Sequence, residues 1–319
     1  MNQIAVIEPS HNLPTLIVSG GEQATLRFFE FFAVNIRNPN TRAAYARAAG
    51  RFLGWCQGRG VSQLRDVKPL HVAGYIEGLQ SQFAAPTVKQ HLACLRMLFD
   101  WLVTGQIIAV NPAHSVRGPR YSVTKGKTPA LSSEEASALL KGMDVSTVVG
   151  LRDRAIIAVM TYTFARVGAV VALKVEDYYP QTKRWWLRLH EKNGKLNEMP
   201  CHHSLEAYLD AYIERARVRD DRKGPLFRTA IRKTRQLTDT PLSRIDVWKM
   251  VRRRARDARI ETEIGCHTFR ATGITDYLKN DGRIEIAQRM AGHSNPKTTG
   301  LYDRRSDDIS LDEIERIRI

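Results

Sequence analysis

The residues best suited to chemistry lie near the C-terminal end of the chain. In the stretch CHTFRATGITDYL, His267 and Arg270 are three positions apart and share one face of a predicted helix, in its first turn. Free N–H groups and the positive end of the helix dipole favour an anion at that turn. In the stretch AGHSNPKTTGLYDRR, His293 stands in a predicted turn, and Tyr302 follows nine positions later among polar residues. We expect this tyrosine to be exposed.

A further arginine, Arg166, interrupts the apolar stretch AIIAVMTYTFARVGAVVAL at 155–173. The threonines, the tyrosine and the central charge favour buried core helices over a membrane span. A buried guanidinium keeps its proton and requires an anion, because leaving it unpaired is costly. That anion is either a nearby carboxylate, Glu176 or Asp177, or a bound phosphate.

The stretch KRWWLRLHEKNGKLNEMPC at 183–201 predicts a β-hairpin, with extended runs on both sides of an Asn193-Gly194 turn. In this hairpin Lys192 and Lys195 face each other. Like charges opposed across two strands are mildly destabilising unless something negative lies between them. A solvated turn is the ordinary explanation of such a pair, and a bound anion is the functional one.

Together, two guanidiniums, two imidazoles, a hairpin lysine and a near-terminal tyrosine suit chemistry on a phosphodiester. Arginines bind the non-bridging oxygens bidentately and neutralise charge that builds in the transition state. A tyrosine hydroxyl becomes a nucleophile once a neighbour takes its proton, and a lysine can protonate the departing alkoxide. We expect no cofactor. We also expect no metal site at Cys201, His202 and His203, since adjacent histidines point to different faces in either regular structure.

The bulk composition indicates the class of partner. The chain of 319 residues has 49 Lys and Arg against 33 Asp and Glu, a net charge of +16. This basic excess favours a polyanionic partner, of which nucleic acid is the commonest. The four cysteines are far apart and form no paired motif, and no signal peptide is visible, so we expect a reduced, cytoplasmic protein without a membrane partner.

Helical periodicity dominates the first third of the chain and ends at a basic stretch rich in proline and glycine, which predicts a linker. One predicted helix is capped by Asn40 or Thr41 and stops at Gly58, and a second has Pro86 near its first turn. The predicted inward positions are Tyr45, Ala48, Phe52 and Trp55 in the first helix and Val88, Leu92, Leu95, Phe99 and Leu102 in the second.

A later predicted helix, SRIDVWKMVRRRARDARI at 243–260, is strongly basic. Its apolar positions indicate an inward face formed by Ile245, Trp248, Val251 and Ala255. The outward residues are Lys249, Arg252, Arg253 and Arg256, a candidate face for contact with a DNA groove.

The order of arginine, lysine, His-x-x-Arg, histidine and tyrosine resembles that of the tyrosine recombinases, the integrase family of phages, transposons and chromosome resolution systems. TYTFARVGAVVALKVEDY is similar to the first-arginine box of this family, and HEKNGKLNEMP is similar to its lysine hairpin. HTFRATGITDYL and MAGHSNPKTTGLY match its last two boxes. The resemblance covers about residues 22–319.

The resemblance implies a mainly α fold with a small antiparallel β-sheet in the C-terminal domain (α+β), in which two domains form a clamp on DNA. The implied segments are a loose N-terminal arm (1–21), a helical core-binding domain (22–114), a basic linker (115–130), a catalytic domain (131–305) and a C-terminal tail helix (306–319). The tail begins with a predicted capping box and either docks on a neighbouring subunit or packs on its own domain.

The resemblance also implies a role for each candidate. Arg166 and Arg270 bind the scissile phosphate, His267 transfers the proton of the nucleophile, His293 hydrogen-bonds the phosphate, Lys192 protonates the leaving 5′ oxygen, and Tyr302 forms the 3′-phosphotyrosyl link. Lys195 is the alternative to Lys192. The sequence departs from the family at Ala169, where an acid usually follows the first arginine by three residues; Glu176 or Asp177 is the expected substitute.

The implied function is site-specific DNA recombination, in integration, excision or resolution of a mobile element. The implied partner is double-stranded DNA with inverted-repeat core sites. The implied assembly on paired sites is a homotetramer held through the C-terminal tail, and the implied location is the cytoplasm, at the nucleoid. The alternatives are a catalytically idle DNA-binding protein of regulatory or architectural function, and a relative of the type IB topoisomerases.

Overall fold

The computed structural model describes residues 13–123, 126–191, 194–231, 233–234, 236–303 and 314–317. Two compact units meet in sequence at Ser122 and Val123. Both units are mainly helical, and small antiparallel sheets lie in the second, so the expected fold class is confirmed. The hairpin residue Lys192 and the tail capping box from Ser310 to Glu313 lie outside the described residues.

Five α-helices of the described residues form the first unit: α1 (Thr15–Val18), α2 (Gly21–Glu30), α3 (Pro39–Gln57), α4 (Pro69–Gln80) and α5 (Ala85–Thr104). Helix α3 begins one turn earlier than predicted, because the side chain of Asn38 accepts hydrogen bonds from the backbone N–H groups of Asn40 and Thr41. It ends before Gly58, as expected.

The core of the first unit forms where α3, α4 and α5 pack together. Phe52 of α3 makes edge-to-face contacts with Tyr75 of α4 and Phe99 of α5, at centroid distances of 5.1 Å and 5.9 Å. All five inward positions predicted for α5 are buried. Tyr45 and Trp55 of α3 are only partly buried and pack at the edge of this core.

The second unit contains the elements α6 (Ser133–Lys141), α7 (Val148–Tyr162), α8 (Val167–Val171), β1 (Tyr178–Gln181), β2 (Arg184–His190), β3 (Leu196–Pro200), α9 (His203–Ala216), β4 (Arg228–Ala230), β5 (Leu237–Pro241), α10 (Arg244–Asp257), α11 (Cys266–Lys279), α12 (Ile284–Met290) and α13 (Pro296–Gly300). Helix α7 is buried over most of its length and is the centre of the unit. Among the described residues, no helix is long and apolar enough to cross a membrane.

The predicted hairpin is present. Strands β1, β2 and β3 form an antiparallel sheet in that order, with Leu187 of β2 opposite Met199 of β3. Gly194 lies in the connecting turn with φ of +73°, a conformation that glycine adopts without strain. A second antiparallel pair joins β4 and β5.

Helix α11 packs closely on α7, and this contact sets the position of His267 and Arg270 relative to the end of α7. The contact depends on Gly273, since a Cβ there would lie 2.1 Å from the carbonyl oxygen of Thr161. Leu131 reinforces the same region by donating its backbone N–H to Oγ1 of Thr272 over 2.9 Å.

Helix α10 is rotated relative to the prediction. Val251 and Ala255 are buried as expected, but Ile245 and Trp248 are 64% and 51% exposed. The reason is a fully buried carboxylate on α7, Asp153, which accepts hydrogen bonds from the guanidinium of Arg254. Satisfying this buried charge turns a basic residue of α10 inward and two apolar residues outward.

Candidate active site

Arg270, the fifth residue of α11, is the most deeply buried charged candidate, at 1% exposure. Its guanidinium donates Nη1 to the carbonyl of Phe164 and Nη2 to the carbonyl of Ala291. Phe164 has φ of +55°, which is uncommon for a bulky residue and turns the chain sharply after α7. Nε of Arg270 is buried and has no hydrogen-bond partner among the described residues.

Arg166 lies directly before α8 and is not fully buried as predicted, because 37% of its side chain is exposed. Its Nη1 donates to Oε2 of Glu191 over 2.8 Å. The expected partners were Glu176 or Asp177, and that prediction is wrong. The carboxylate of Asp177 instead accepts from the backbone N–H of Lys174 and contacts His190.

The two guanidiniums are close enough to repel each other. Burial and the nearby charge of Arg166 together lower the pKa of Arg270 to about 10, while Tyr302 and Glu191 act in the opposite direction. Arg166 also contributes to the lowered pKa values of His267 and His293. The five described candidates therefore share one region of electrostatic contact, and an anion placed there would relieve the repulsion.

Tyr302 is buried, with 8% exposure, so its predicted exposure is wrong. Its hydroxyl lies 3.4 Å from Nε2 of His267. The main chain around it is fixed from two sides: Thr275 donates its hydroxyl to the carbonyl of Tyr302 over 3.1 Å, and the N–H of Gly126 donates to the carbonyl of Leu301 over 3.1 Å. The polar sequence around the tyrosine had suggested a surface position, but its ring packs inward.

His293 lies in the turn after α12, where Gly292 has φ of +60°. Its ring stacks on Tyr302 at a centroid distance of 5.8 Å, with 7° between the planes. Nδ1 of His293 is 2.9 Å from Oγ1 of the fully buried Thr299. If the threonine hydroxyl donates this bond, Nε2 carries the proton and is available to a phosphate oxygen.

Both histidines are neutral near pH 7. Burial, followed by the charges of Arg270 and Arg166, lowers the pKa of His293 to about 3. The pKa of His267 is lowered by desolvation of its ring and by the same two arginines, although part of the residue is exposed. A neutral His267 next to a phenol is a proton acceptor, which suits a base for the tyrosine hydroxyl.

Sequence reasoning missed two residues of this cluster. Glu191 was not considered as a partner of Arg166, although it stands at the predicted hairpin turn. Thr299 was read only as part of a polar stretch, although it follows His293 by six residues. The side chain of Asn295 next to this cluster accepts from the N–H of Lys297 and caps α13.

Only one of the two hairpin lysines, Lys195, lies among the described residues. Lys195 is exposed in the turn, and its carbonyl accepts the N–H of Glu191 over 2.8 Å, while Lys192 lies outside the described residues.

Among the described residues, no group of histidine, cysteine or acidic side chains is arranged to hold a metal ion. His202 stacks on Tyr162, at a centroid distance of 4.5 Å.

The basic residues of α10 are not part of this cluster. Lys249, Arg253 and Arg256 are exposed, and Arg252 is half-buried. Arg252 pairs with Glu263 over 2.9 Å, and its guanidinium lies 6.0 Å from the ring centroid of the exposed Trp248. Together these residues form a basic surface with an aromatic ring in it.

Comparison with known proteins finds models of the phage integrase family in both parts of the chain. The model of the phage integrase family matches residues 129–308, and that of the phage integrase N-terminal SAM-like domain matches residues 27–106. The chain is 26% identical over 288 residues to tyrosine recombinase XerD of Corynebacterium glutamicum, covering 87% of this chain and 91% of that protein. It is 27% identical to tyrosine recombinase XerD of Chlorobaculum tepidum, covering 82% and 85%.

Solved structures share the fold. The XerH site-specific recombinase bound to difH substrate, in a pre-cleavage complex, superposes with a TM-score of 0.66 at 16% identity, covering 96% of this chain and 97% of that one. A lambda integrase dimer bound to a COC′ core site superposes with a TM-score of 0.67 at 18% identity, covering 90% and 80%. At these identities the similarity concerns the fold alone.

Proposed function

Because the chain belongs to the phage integrase family and is a site-specific tyrosine recombinase, we propose that Tyr302 is the nucleophile that cleaves its DNA. The relatives are named as tyrosine recombinases, which does not favour the idle DNA-binding protein or the type IB topoisomerase. The observation that carries the proposal is the 3.4 Å approach of the Tyr302 hydroxyl to His267, in a cluster that also holds Arg166, Arg270 and His293.

The reaction transfers one ester bond. The phenol oxygen of Tyr302 attacks a backbone phosphorus, a bond from phosphorus to the tyrosine oxygen forms, and the bond from phosphorus to the 5′ oxygen breaks. His267 takes the phenol proton, and Lys192 gives a proton to the leaving 5′ oxygen, with Lys195 as the alternative donor. A 5′ hydroxyl from another strand then attacks the phosphotyrosine and releases Tyr302. Because the phosphotyrosyl link keeps the energy of the broken ester, religation requires no ATP.

The arginines bind the phosphate. Nε of Arg270, which has no partner among the described residues, and the partly exposed guanidinium of Arg166 supply donors to the non-bridging oxygens. Nε2 of the neutral His293 supplies a further donor. These groups stabilise the negative charge that develops on the phosphorane-like transition state. Burial strengthens each electrostatic interaction, because the local dielectric constant is low.

We further propose which parts of the chain bind DNA and how its subunits assemble on it. Residues 22–114 form the core-binding domain, 115–130 the linker and 131–305 the catalytic domain. Lys249, Arg252, Arg253 and Arg256 of α10 contact the DNA backbone, supported by the net charge of +16. The substrate is double-stranded DNA with inverted-repeat core sites, bound by a homotetramer through the tail at 306–319. The protein acts in the cytoplasm, at the nucleoid, on a mobile element that it integrates, excises or resolves.

The test is capture of the covalent intermediate. Sites are selected from randomised duplexes by the full chain, and the bound sequence is then built into a duplex with a nick close to the cleavage position, so that the freed 5′ fragment diffuses away. Wild type should form a protein–DNA adduct that survives a denaturing gel, and Tyr302→Phe should form none. A wild type that binds the site and forms no adduct would refute the proposed activity.

A further inference from the structure

Glu191 directly follows β2, at a position where the alternation of that strand predicts a core-facing residue. Along β2 the side chains of Leu187 and Leu189 are fully buried, and the alternation of a strand carries the same inward direction to Glu191. Only 4% of the Glu191 side chain is exposed. A carboxylate at a core-facing position is costly unless a cation compensates it, so this residue has a specific reason to be charged.

The cation that compensates it is Arg166. Oε2 of Glu191 accepts from Nη1 of Arg166 over 2.8 Å, and the pair joins the hairpin to the turn before α8. The backbone N–H of Glu191 donates to the carbonyl of Lys195 over 2.8 Å, which closes the hairpin at that point. The carboxylate is therefore held by the sheet, whereas the guanidinium, with 37% of its side chain exposed, is open on one side.

Other candidates for this task are excluded by their contacts. Ala169, three residues after Arg166, is buried, and its methyl side chain cannot accept a hydrogen bond. The carboxylate of Asp177 binds the N–H of Lys174 over 2.9 Å and lies 3.2 Å from Nε2 of His190. Glu191 also acts on Arg270, since its charge offsets part of the repulsion between the two arginines.

We propose that Glu191 is the positioning residue of Arg166, which fixes the guanidinium toward the phosphate in place of the acid that Ala169 does not supply. The proposal rests on the function proposed above. Bidentate binding of a phosphate requires the guanidinium plane in one orientation, and a carboxylate on the far nitrogen provides that constraint while leaving the other donors free. Glu191 does not touch DNA in this role.

The test is the single-turnover rate of adduct formation by Glu191→Gln on the nicked duplex defined above. Glutamine keeps the shape and removes the charge, so the rate at saturating DNA should fall by roughly ten- to a hundredfold, as expected for a misplaced catalytic group. The dissociation constant for the same duplex should stay unchanged or decrease, because a negative charge near the phosphate is lost. Damage to the fold would instead weaken DNA binding and lower the unfolding midpoint.

Asp177→Asn is the matched control, because Asp177 is equally buried on a neighbouring element and does not contact Arg166. It should cleave close to the wild-type rate. Arg166→Lys provides the coupling test: if Glu191 acts through Arg166, adding Glu191→Gln to this variant should slow cleavage much less than it slows the wild type.

Three results would overturn the proposal: cleavage by Glu191→Gln at the wild-type rate, a rate loss matched by Asp177→Asn, or rate factors that multiply in the double variant. Each requires a wild type that forms the adduct. A wild type without an adduct would refute the proposed function instead, so the two failures are distinguishable.

Discussion

The hydroxyl of Tyr302 lies 3.4 Å from Nε2 of His267, although the tyrosine is buried and belongs to a polar C-terminal stretch. The proposed nucleophile thus lies beside its proposed base, on the inner side of the cluster rather than at the surface. The stacked ring of His293 and the hydrogen bond from Thr275 to the carbonyl of Tyr302 hold it there.

His267→Gln should slow adduct formation by about 10²- to 10⁴-fold, the usual contribution of a general base. Glutamine can still hydrogen-bond the phenol but cannot take its proton. The rate is measured in a single turnover on the nicked duplex, with His202→Gln as control, because His202 stacks on Tyr162 outside the cluster. Equal rates for His267→Gln and wild type would exclude His267 as the base.

Thr299→Val should lower the cleavage rate by about tenfold, because it removes the hydrogen bond that orients His293 and leaves Nδ1 unpaired in a buried site. Valine has nearly the same shape, so the packing is retained. Thr298→Val is the matched control, as the neighbouring threonine is only partly buried and makes no contact with His293 described by the structure. If both valine variants slow cleavage to the same extent, the proposed role of Thr299 in orienting His293 is contradicted.

The stability of the protein should depend on pH through His293. Its pKa is about 3 in the folded chain and near 6.5 when unfolded. Between these values the unfolded chain binds more protons, so the free energy of unfolding falls as the pH falls below 6.5, at most by about 1.4 kcal/mol per pH unit for this one group. Above pH 6.5 its contribution is fully present.

Urea denaturation at pH 7 and pH 5 measures this dependence. His293→Gln should lose less stability between the two pH values than wild type, because it lacks the titrating ring. Identical losses in both proteins would show that His293 titrates normally in the folded chain.

Much of the scaffold was predictable from local spacing. The inward face of α5 follows from apolar residues at helical intervals, and every predicted position is buried. The hairpin follows from an Asn-Gly turn between extended runs. His267 and Arg270 share a helix face because they are three residues apart, which needs no knowledge of the rest of the chain.

Three of the failures depend on contacts that are distant in sequence. Arg166 and Glu191 are separated by 25 residues, and no local pattern pairs them. The rotation of α10 is set by Asp153, about a hundred residues earlier. Tyr302 was predicted to be exposed from its polar neighbours, but its burial results from packing on α11, which its own stretch does not encode.

Gly273→Ala should destabilise the protein by about 1–3 kcal/mol, the typical cost of overpacking a core. The added Cβ would lie 2.1 Å from the carbonyl oxygen of Thr161, and α11 would have to move away from α7 together with Arg270. We therefore expect loss of adduct formation as well, measured beside urea denaturation.

Gly50→Ala is the matched control for that change. Gly50 lies within α3, and no atom lies within 4 Å of its added Cβ. Alanine is favoured over glycine inside a helix, so this variant should gain about 0.5–1 kcal/mol. Equal effects at both positions would contradict the close packing of α11 on α7.

The central claim is that Arg166, Arg270 and His293 bind one phosphorus that Tyr302 attacks. A crystal structure with vanadate in place of the scissile phosphate, between Tyr302 and a DNA strand with a free 5′ hydroxyl, measures it most directly. We predict a vanadium bonded to the phenol oxygen, with both guanidiniums and Nε2 of His293 within hydrogen-bond distance of its equatorial oxygens. Vanadate that binds only one of the two arginines, or that leaves Tyr302 buried and unbonded, would contradict the account.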